Sequence, residues 1–358
     1  MSRHSDRVAR LRAILRKQQL DALIVTSLTH LQYLLGFTGS HGIGVFGRRT
    51  AAFITDSRYQ AQGARQVRAA RRFITQRPLL DAIAEHHCLS RVTTVGFESH
   101  HITFQQYRVL RRTFPRITFI PTTGIVEQLL YVKDPAELAA LRAAMRITDQ
   151  VFEEIVGLIR PGMREKDIAA EITYRHRLHG ADADAFEPIV ASGERGSLPH
   201  ARAGDRVLRN GELVTMDFGC TVKGYHSDLT RTVALGRTTK KVREVYAVVR
   251  EAQAAALDAA HGGMAARDLD AVARTVITDA GYGEAFSHSL GHGLGLNIHE
   301  RPRVSALSKD TLVPGCVVTV EPGIYLPGWG GVRIEDDILL TATGCTVLTA
   351  APRDLLVL

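Results

Sequence analysis

The chain has 358 residues, of which 45% are hydrophobic, 23% charged and 6% aromatic, and these proportions exclude collagen-like, low-complexity and disordered proteins. At roughly 150 residues per domain, this length predicts two domains. The formal net charge of +8 is spread over adjacent pairs such as Arg71-Arg72 rather than blocks of five or six, so we expect a solvated basic surface and no nucleic-acid partner.

The sequence shows no signal for a membrane or for a disulfide framework. No run approaches the roughly 18 to 20 apolar residues of a membrane helix, and the polar N-terminus MSRHSDRVAR lacks the apolar core of a signal peptide. We therefore expect a cytoplasmic protein without a membrane partner. The four cysteines are scattered and are predicted to be buried or free thiols rather than zinc ligands: Cys88, Cys220, Cys316 and Cys345.

The first part of the chain alternates helical and strand patterns. Val8, Leu11 and Leu15 have the spacing of one helix face, and four short apolar runs that read as strands follow at 22–25, 51–54, 94–97 and 117–120. This alternation predicts an α/β domain over residues 1–125, with a linker at 121–124.

A long helix opens the second part of the chain. Asp134 can cap its free N–H groups, Pro135 suits its first position, and Glu137 completes a capping pattern. The apolar stripe that follows keeps helical spacing as far as Pro161-Gly162. We expect a second, α+β domain over residues 130–358.

The second domain contains an internal duplication. The pattern of segment 162–168 returns at 263–269, an offset of 101 residues, and that of 211–219 returns at 315–323, an offset of 104. Two matches in the same order with nearly equal offsets indicate two halves related by a pseudo-twofold axis.

Each half places acidic residues in an apolar strand context. Asp217 and Glu321 occupy the same position of the repeat, and the next strand of each half supplies Asp228 and Glu335. Four acids that converge on one axis repel each other, so the pattern favours a cation site. Strand alternation alone leaves Glu335 and Asp337 as equal candidates because both side chains lie on one face.

Three histidines within twelve residues accompany these acids: His288, His292 and His299. Carboxylates with an imidazole suit Mn, Co, Fe or Zn. Two such ions can lower the pKa of a shared water and polarise a carbonyl, so the pattern indicates metal-dependent hydrolysis.

Several motifs in order resemble the proline-specific pita-bread metallopeptidases, the family of aminopeptidase P and prolidase. The resemblance runs from about Leu31 to the C-terminus and includes a creatinase-type N-terminal domain. Its motifs are Gly36-Phe37-Thr38-Gly39-Ser40, Thr55-Asp56-Ser57-Arg58-Tyr59, Leu198-Pro199-His200, Met216-Asp217-Phe218-Gly219, Ser227-Asp228-Leu229-Thr230-Arg231-Thr232, His288-Ser289-Leu290-Gly291-His292-Gly293, His299-Glu300, Glu321-Pro322-Gly323-Ile324-Tyr325 and Arg333-Ile334-Glu335-Asp336.

The resemblance implies a set of ligands for two divalent ions, with Mn expected and Co, Zn or Fe as alternatives. Asp217 and Asp228 would bind one ion, His292 and Glu321 the other, and Asp228 and Glu335 would bridge them. The presence of all five argues against the creatinase branch of the fold, which works without this metal set.

The resemblance also implies roles around the metals. His200, His288 and His299 would orient the substrate carbonyl and stabilise the tetrahedral intermediate. Arg333 would steady the bridging carboxylates or position the substrate, and Glu321 would also accept a proton from the attacking water.

The resemblance implies both a fold and an activity. The fold is an α/β creatinase-type domain followed by an α+β pita-bread catalytic domain with a pseudo-twofold duplication. The activity is Xaa-Pro aminopeptidase on proline-containing peptides, with prolidase as the alternative and methionine aminopeptidase disfavoured by the N-terminal domain. A remoter alternative is a non-catalytic binding protein on the same fold.

Two further features stay open in the sequence. Arg303 could capture the terminal carboxylate of a substrate, which would favour dipeptides, or it could be a surface charge. The family resemblance implies a homodimer in which the loop at 39–42 approaches the active site of the neighbouring subunit.

Overall fold

A computed structural model describes residues 3–358, and the chain divides into two compact units, Met1–Leu130 and Tyr131–Leu358. Within the described range 3–358, no helix is both long and apolar enough to cross a bilayer. All four cysteines are free thiols, as the sequence predicted.

The first unit is a mixed sheet with helices. Its elements are α1 Arg3–Lys17, β1 Ala22–Val25, α2 Leu28–Leu35, β2 Ile43–Gly47, β3 Ala51–Asp56, α3 Gln60–Gln66, β4 Arg71–Thr75, α4 Leu79–Glu85, β5 Thr94–Glu98, α5 Phe104–Thr113, β6 Thr118–Thr122 and α6 Glu127–Leu130. The sheet order is β4-β3-β2-β1-β5-β6, and the pairs β1-β5, β5-β6 and β3-β4 are parallel.

The four predicted strands of this unit are present, and two more were missed. β2 contains two glycines, which weaken a strand signal, and β4 is an edge strand with exposed Arg71 and Arg72. The predicted linker at 121–124 is wrong in part because Pro121 and Thr122 belong to β6, an edge strand on which proline is tolerated.

The second unit contains the remaining elements. They are α7 Pro135–Val156, α8 Glu165–Leu178, β7 Ala183–Asp184, β8 Ile189–Ser192, β9 Leu213–Phe218, β10 Cys220–Val222, β11 Tyr225–His226, β12 Leu229–Ala234, α9 Lys240–Ala259, α10 Ala266–Asp279, β13 Gly291–Gly293, β14 Glu300–Val304, β15 Val317–Val320, β16 Gly323–Leu326, β17 Gly330–Arg333, β18 Asp336–Leu340 and β19 Cys345–Val347.

The capping signals before α7 act as predicted. The Asp134 side chain accepts hydrogen bonds from Ala136 N and Glu137 N, both at 2.9 Å, and the Glu137 side chain accepts one from Asp134 N at 2.8 Å. The helix ends at Val156, five residues before the predicted stop at Pro161, and Gly157 and Leu158 form a turn after it.

The structure shows the internal duplication in the sheets of the two halves and in a pair of equivalent glycines. The first half has the sheet β12-β9-β8 and the second half the sheet β14-β13-β15-β18-β19, and each half begins with a helix pair. Gly211 and Gly315, equivalent in the repeat, turn the chain before the acidic strands with φ of 85° and 89°.

Each half also has its own buried apolar cluster. The first cluster includes Phe152, Ile172 and Met216, and the second includes Leu269 and Val318. The two acidic strand pairs therefore pack against separate apolar cores, and the predicted fold class, an α/β part followed by a duplicated α+β part, is confirmed.

Candidate metal centre

The duplicated strand pairs bring the predicted acids together. Asp217 lies in β9 opposite Thr230 of β12, and Asp228 immediately precedes β12. In the other half Glu321 directly follows β15 and Glu335 directly precedes β18, so the Val320–Asp336 register sets these glutamates opposite each other. The halves are joined where Glu335 N donates to Thr230 O at 3.1 Å.

His292 of β13 completes a compact donor set. Asp228, His292 and Glu335 each offer a ligand atom within 4.8 Å of the others. The His292 Nε2 atom lies 3.4 Å from Glu321 Oε1 and 3.6 Å from Asp228 Oδ2. Its Nδ1 lies 3.1 Å from Gly293 O, and donation there leaves the Nε2 lone pair directed at the carboxylates.

Burial makes this concentration of charge costly without a counterion. Desolvation, reinforced by neighbouring carboxylates, raises the pKa of Asp228 and of Glu335 well above their ordinary values. Desolvation also raises the pKa of Glu321 to about 8, and it lowers the pKa of His292 to about 3. Each shift opposes the charged form of its group, which is the cost that a bound cation removes.

One carboxylate oxygen at the site has no hydrogen-bond partner. Asp217 Oδ1 is buried and unpaired, whereas its Oδ2 accepts a hydrogen bond from Arg333 Nη2 at 2.5 Å. A buried acceptor without a donor costs free energy, and a cation beside it would remove that cost. The donor set of four carboxylates and one imidazole therefore fits divalent ions of the Mn, Co, Fe or Zn group.

Arg333 donates hydrogen bonds to several side chains around the site. Its guanidinium also donates to Thr230 Oγ1 at 3.0 Å and to Tyr325 Oη at 2.7 Å. Thr230 Oγ1 in turn donates to Glu335 Oε2 at 2.6 Å. This network connects a ligand candidate from each half to one buried cation, the guanidinium of Arg333.

His288 reaches the same network through Tyr325. Its Nε2 lies 2.8 Å from Tyr325 Oη, and desolvation lowers the pKa of His288 to about 4. Burial raises the pKa of Tyr325 to about 12, so this phenol keeps its proton. Sequence reasoning missed a role for Tyr325, although it lies within one of the family motifs, because a contact between separate strands leaves no local signal.

His299 and His200 lie at the open side of the centre. The His299 ring meets the His292 ring edge-on, with centroids 4.3 Å apart. His200 is exposed in the loop after β8 and lines a cavity of about 660 Å³ together with Leu198 and Pro199. Pro199 O lies 3.4 Å from Arg333 Nη1, which places this loop beside the buried network.

Arg303 of β14 lies directly opposite His292 of β13. Side chains of directly opposed residues in an antiparallel pair project from the same face, so the exposed guanidinium shares the face of the candidate ligand. Its charge contributes to lowering the pKa of His299, after the larger effect of desolvation.

Asp337, the alternative to Glu335, has a different place. Its Oδ2 accepts a hydrogen bond from Asp228 N at 3.1 Å, and its Oδ1 is buried without a partner. Asp337 therefore binds the backbone N–H of Asp228. The carboxylate that lies close to the ligand atoms of Asp228 and His292 is that of Glu335.

Comparison with known proteins places the chain among peptidases. The model of metallopeptidase family M24 matches residues 139–342, and that of the creatinase/prolidase N-terminal domain matches residues 7–129. An Xaa-Pro dipeptidase from Pyrococcus horikoshii is 32% identical over 354 residues, which is 98% of this chain and 99% of that protein.

Solved structures agree with this placement. A structure described as an Xaa-Pro dipeptidase from Bacillus anthracis is 39% identical, with a TM-score of 0.97 over 99% of this chain and 100% of that one. An X-Pro aminopeptidase from Thermotoga maritima is 38% identical, with a TM-score of 0.89 over 96% and 100%. The resemblance found in the sequence is confirmed, and the chain belongs to metallopeptidase family M24, with a creatinase/prolidase N-terminal domain.

Proposed function

We propose that this metallopeptidase hydrolyses the peptide bond between an N-terminal residue and a following proline, and that dipeptides are its preferred substrates. The observation that carries the preference is the position of Arg303 on the same sheet face as His292. A dipeptide bound at the metal centre ends in a carboxylate one residue beyond the scissile bond, within the range of such a guanidinium.

We propose Asp217, Asp228, His292, Glu321 and Glu335 as the ligands of two divalent ions, with manganese as the expected metal. The unpaired Asp217 Oδ1 and the raised carboxylate pKa values support this assignment. When bound, two such ions lower the pKa of a water and polarise the scissile carbonyl.

The other residues of the site have roles that follow from their contacts. His200 and His299, on the open side, are placed to orient the substrate carbonyl and to donate to it as negative charge develops. Tyr325 Oη accepts a hydrogen bond from Arg333 and lies 2.8 Å from His288 Nε2, so these three side chains hold one another in place beside the centre. We propose that Glu321, whose Oε1 lies 3.4 Å from His292 Nε2, accepts the proton of the attacking water.

The expectation of an aminopeptidase gives way to the dipeptidase alternative for two reasons. Arg303 shares the face of His292, and relatives that match nearly the whole chain are described as Xaa-Pro dipeptidases. Aminopeptidase activity remains the second candidate because the Thermotoga maritima structure, 38% identical, is described as an X-Pro aminopeptidase.

Steady-state hydrolysis of two substrates tests the proposal. The protein loaded with Mn²⁺ is assayed on Ala-Pro and on the same sequence extended by one residue, with a chelated sample as the control. A higher kcat/KM on the dipeptide supports the dipeptidase, and a higher value on the tripeptide supports the aminopeptidase. If the metal-loaded protein turned over neither substrate, Xaa-Pro hydrolysis would be refuted, and the alternative of a non-catalytic binding protein would be favoured.

The cytoplasmic location and the homodimer remain proposals that rest on the sequence and the family resemblance. The mass of the protein in solution, measured by sedimentation equilibrium, tests the second. A monomer at assay concentration would show that the loop at 39–42 plays no part in a neighbouring site.

A further inference from the structure

We propose that two buried carboxylates outside the metal centre, Glu165 on α8 and Asp270 on α10, are positioning residues for the histidine-bearing loops of the active site. Glu165 holds the loop that carries His200, and Asp270, through Arg274, holds the segment that carries His288. The functional part of this inference rests on the proposed function.

Glu165 ties together both ends of the His200 loop. Its side chain is fully buried and accepts four hydrogen bonds, from Ser192 N at 2.8 Å, Ser192 Oγ at 2.9 Å, Arg195 Nε at 3.1 Å and Gly204 N at 3.2 Å. Ser192 ends β8 and Gly204 lies four residues after His200. The Glu165 carboxylate therefore holds the backbone on both sides of His200, at Ser192 and at Gly204.

Asp270 and Arg274 act on the second histidine in the same way. Asp270 is fully buried and receives two hydrogen bonds from Arg274, at 2.8 and 3.0 Å, and one from Leu290 N at 3.0 Å. Arg274 then donates to Phe286 O and to His288 O, both at 2.9 Å. The backbone on both sides of the His288 side chain is thus bonded to one ion pair.

The two anchors are not copies of one ancestral residue. At the repeat offset of 101, the equivalent of Glu165 is Ala266 and the equivalent of Asp270 is Ala169. The equivalent helices α8 and α10 therefore carry a buried acidic residue at different positions. Each acidic residue lies where the helix contacts its own histidine-bearing loop. Independent placement in each half indicates that the loops, rather than the helices, require these carboxylates.

The hydrogen bonds themselves also distinguish these anchors from ordinary helix ion pairs. Arg175, on the same helix as Glu165, pairs with Glu154 and Glu171, both of which are helical residues. Glu165 instead accepts its four hydrogen bonds from the loop and its ends. Burying a charge costs free energy, and an active site needs its groups held to within about 0.5 Å. The need to hold an irregular loop in place explains why such a buried carboxylate is present.

The test substitutes Glu165→Gln, which keeps the shape but replaces one acceptor oxygen with a donor that faces two other donors. A displacement of His200 by about 1 Å costs on the order of 100-fold in rate, so we expect kcat on Ala-Pro to fall by about 10- to 100-fold with KM changed by less than about threefold. The control Arg175→Met breaks an ion pair of the same helix and should leave kcat within about twofold of the original.

A His200→Ala background shows whether Glu165 acts through this histidine. If it does, Glu165→Gln added to His200→Ala costs less than about threefold further, because coupled residues are not additive. Asp270→Asn in a His288→Ala background is the matching experiment for the second loop. Multiplicative losses in either pair, or an equal loss in Arg175→Met, would overturn the positioning role.

A readout without turnover separates this inference from the proposed function. Deuterium uptake by metal-free Glu165→Gln should rise in peptides covering 193–204 and stay unchanged in α7, and Arg195→Met should give a smaller rise at the same place. The second variant is milder because Arg195 is one-third exposed and leaves three donors on Glu165. If no Xaa-Pro hydrolysis is found but deuterium uptake rises in this loop, Glu165 holds the loop and the proposed function is wrong. Unchanged uptake would show that Glu165 does not hold the loop.

Discussion

Substitution of Arg303 by methionine should separate dipeptides from longer substrates. A hydrogen bond to a charged group is worth about 1.5 to 3 kcal/mol, and Arg303 is exposed in β14, so solvent screening favours the lower end. A loss of about 1.5 kcal/mol corresponds to roughly a tenfold fall in kcat/KM. We expect this fall on Ala-Pro, mainly through KM, because the carboxylate contact is present before and during the reaction.

The assay compares Ala-Pro with Ala-Pro amide, which lacks the terminal charge. Arg303→Met should leave kcat/KM on the amide within about twofold, and Arg303→Lys should retain part of the dipeptide activity as a point charge without the fork. Arg267→Met, an exposed substitution with the same change in charge, is the control. Equal losses on both substrates, or no loss on Ala-Pro, would refute the assignment of Arg303 to the carboxylate.

Three further predictions concern charge and burial at the centre. Metal-free protein should become less stable to urea as the pH rises from about 6.5 to about 8, because folded Glu321 keeps a proton that the unfolded chain has released, whereas His288 and His292 are neutral in both states over this range, and metal should reverse the trend. Tyr325→Phe should cost about 1 to 3 kcal/mol of unfolding free energy and slow turnover, because it leaves the buried Arg333 Nη1 without its nearest acceptor and His288 Nε2 without a donor. Arg231→Met should cost about 3 kcal/mol in the same urea titration, because the fully buried Asp336 carboxylate would keep only one guanidinium, the partly exposed one of Arg353, and four backbone carbonyls would lose a donor.

Each of these predictions has a control. Stability of metal-free protein that rises across the same pH range would contradict the first. Tyr282→Phe, which removes a hydroxyl group from an exposed hydrogen bond with Glu244, should be nearly neutral, and an equal cost for Tyr325→Phe would contradict the second. Arg250→Met breaks an exposed ion pair with Asp354 and should cost less than about 1 kcal/mol, so a similar value for Arg231→Met would contradict the third.

The sequence predicts the parts of this molecule that leave a local or repeated signal. The capping residues Asp134 and Glu137 mark the start of α7, and the internal repeat by itself pairs Asp217 with Glu321. Choosing Glu335 over Asp337 needed the family resemblance, because strand alternation gives both the same face.

The rest depends on contacts between distant segments. Glu165 and Ser192 are 27 residues apart, and Tyr325 meets His288 across 37 residues. Neither pair has a spacing that marks a helix face or a strand neighbour. β4 was missed for a related reason, since its exposed arginines reflect its position at the sheet edge rather than its own propensity.

The division of the five candidate ligands between two halves bears on how the enzyme is made. Asp217 and Asp228 belong to the first half, whereas His292, Glu321 and Glu335 emerge from a ribosome only after the second half has begun. Because Glu335 N donates to Thr230 O, this candidate ligand reaches its place only after β12 and the segment before β18 have met. A nascent chain that has not yet reached Glu335 therefore lacks a complete centre, and a peptidase built in this way gains activity only when its catalytic unit is nearly finished.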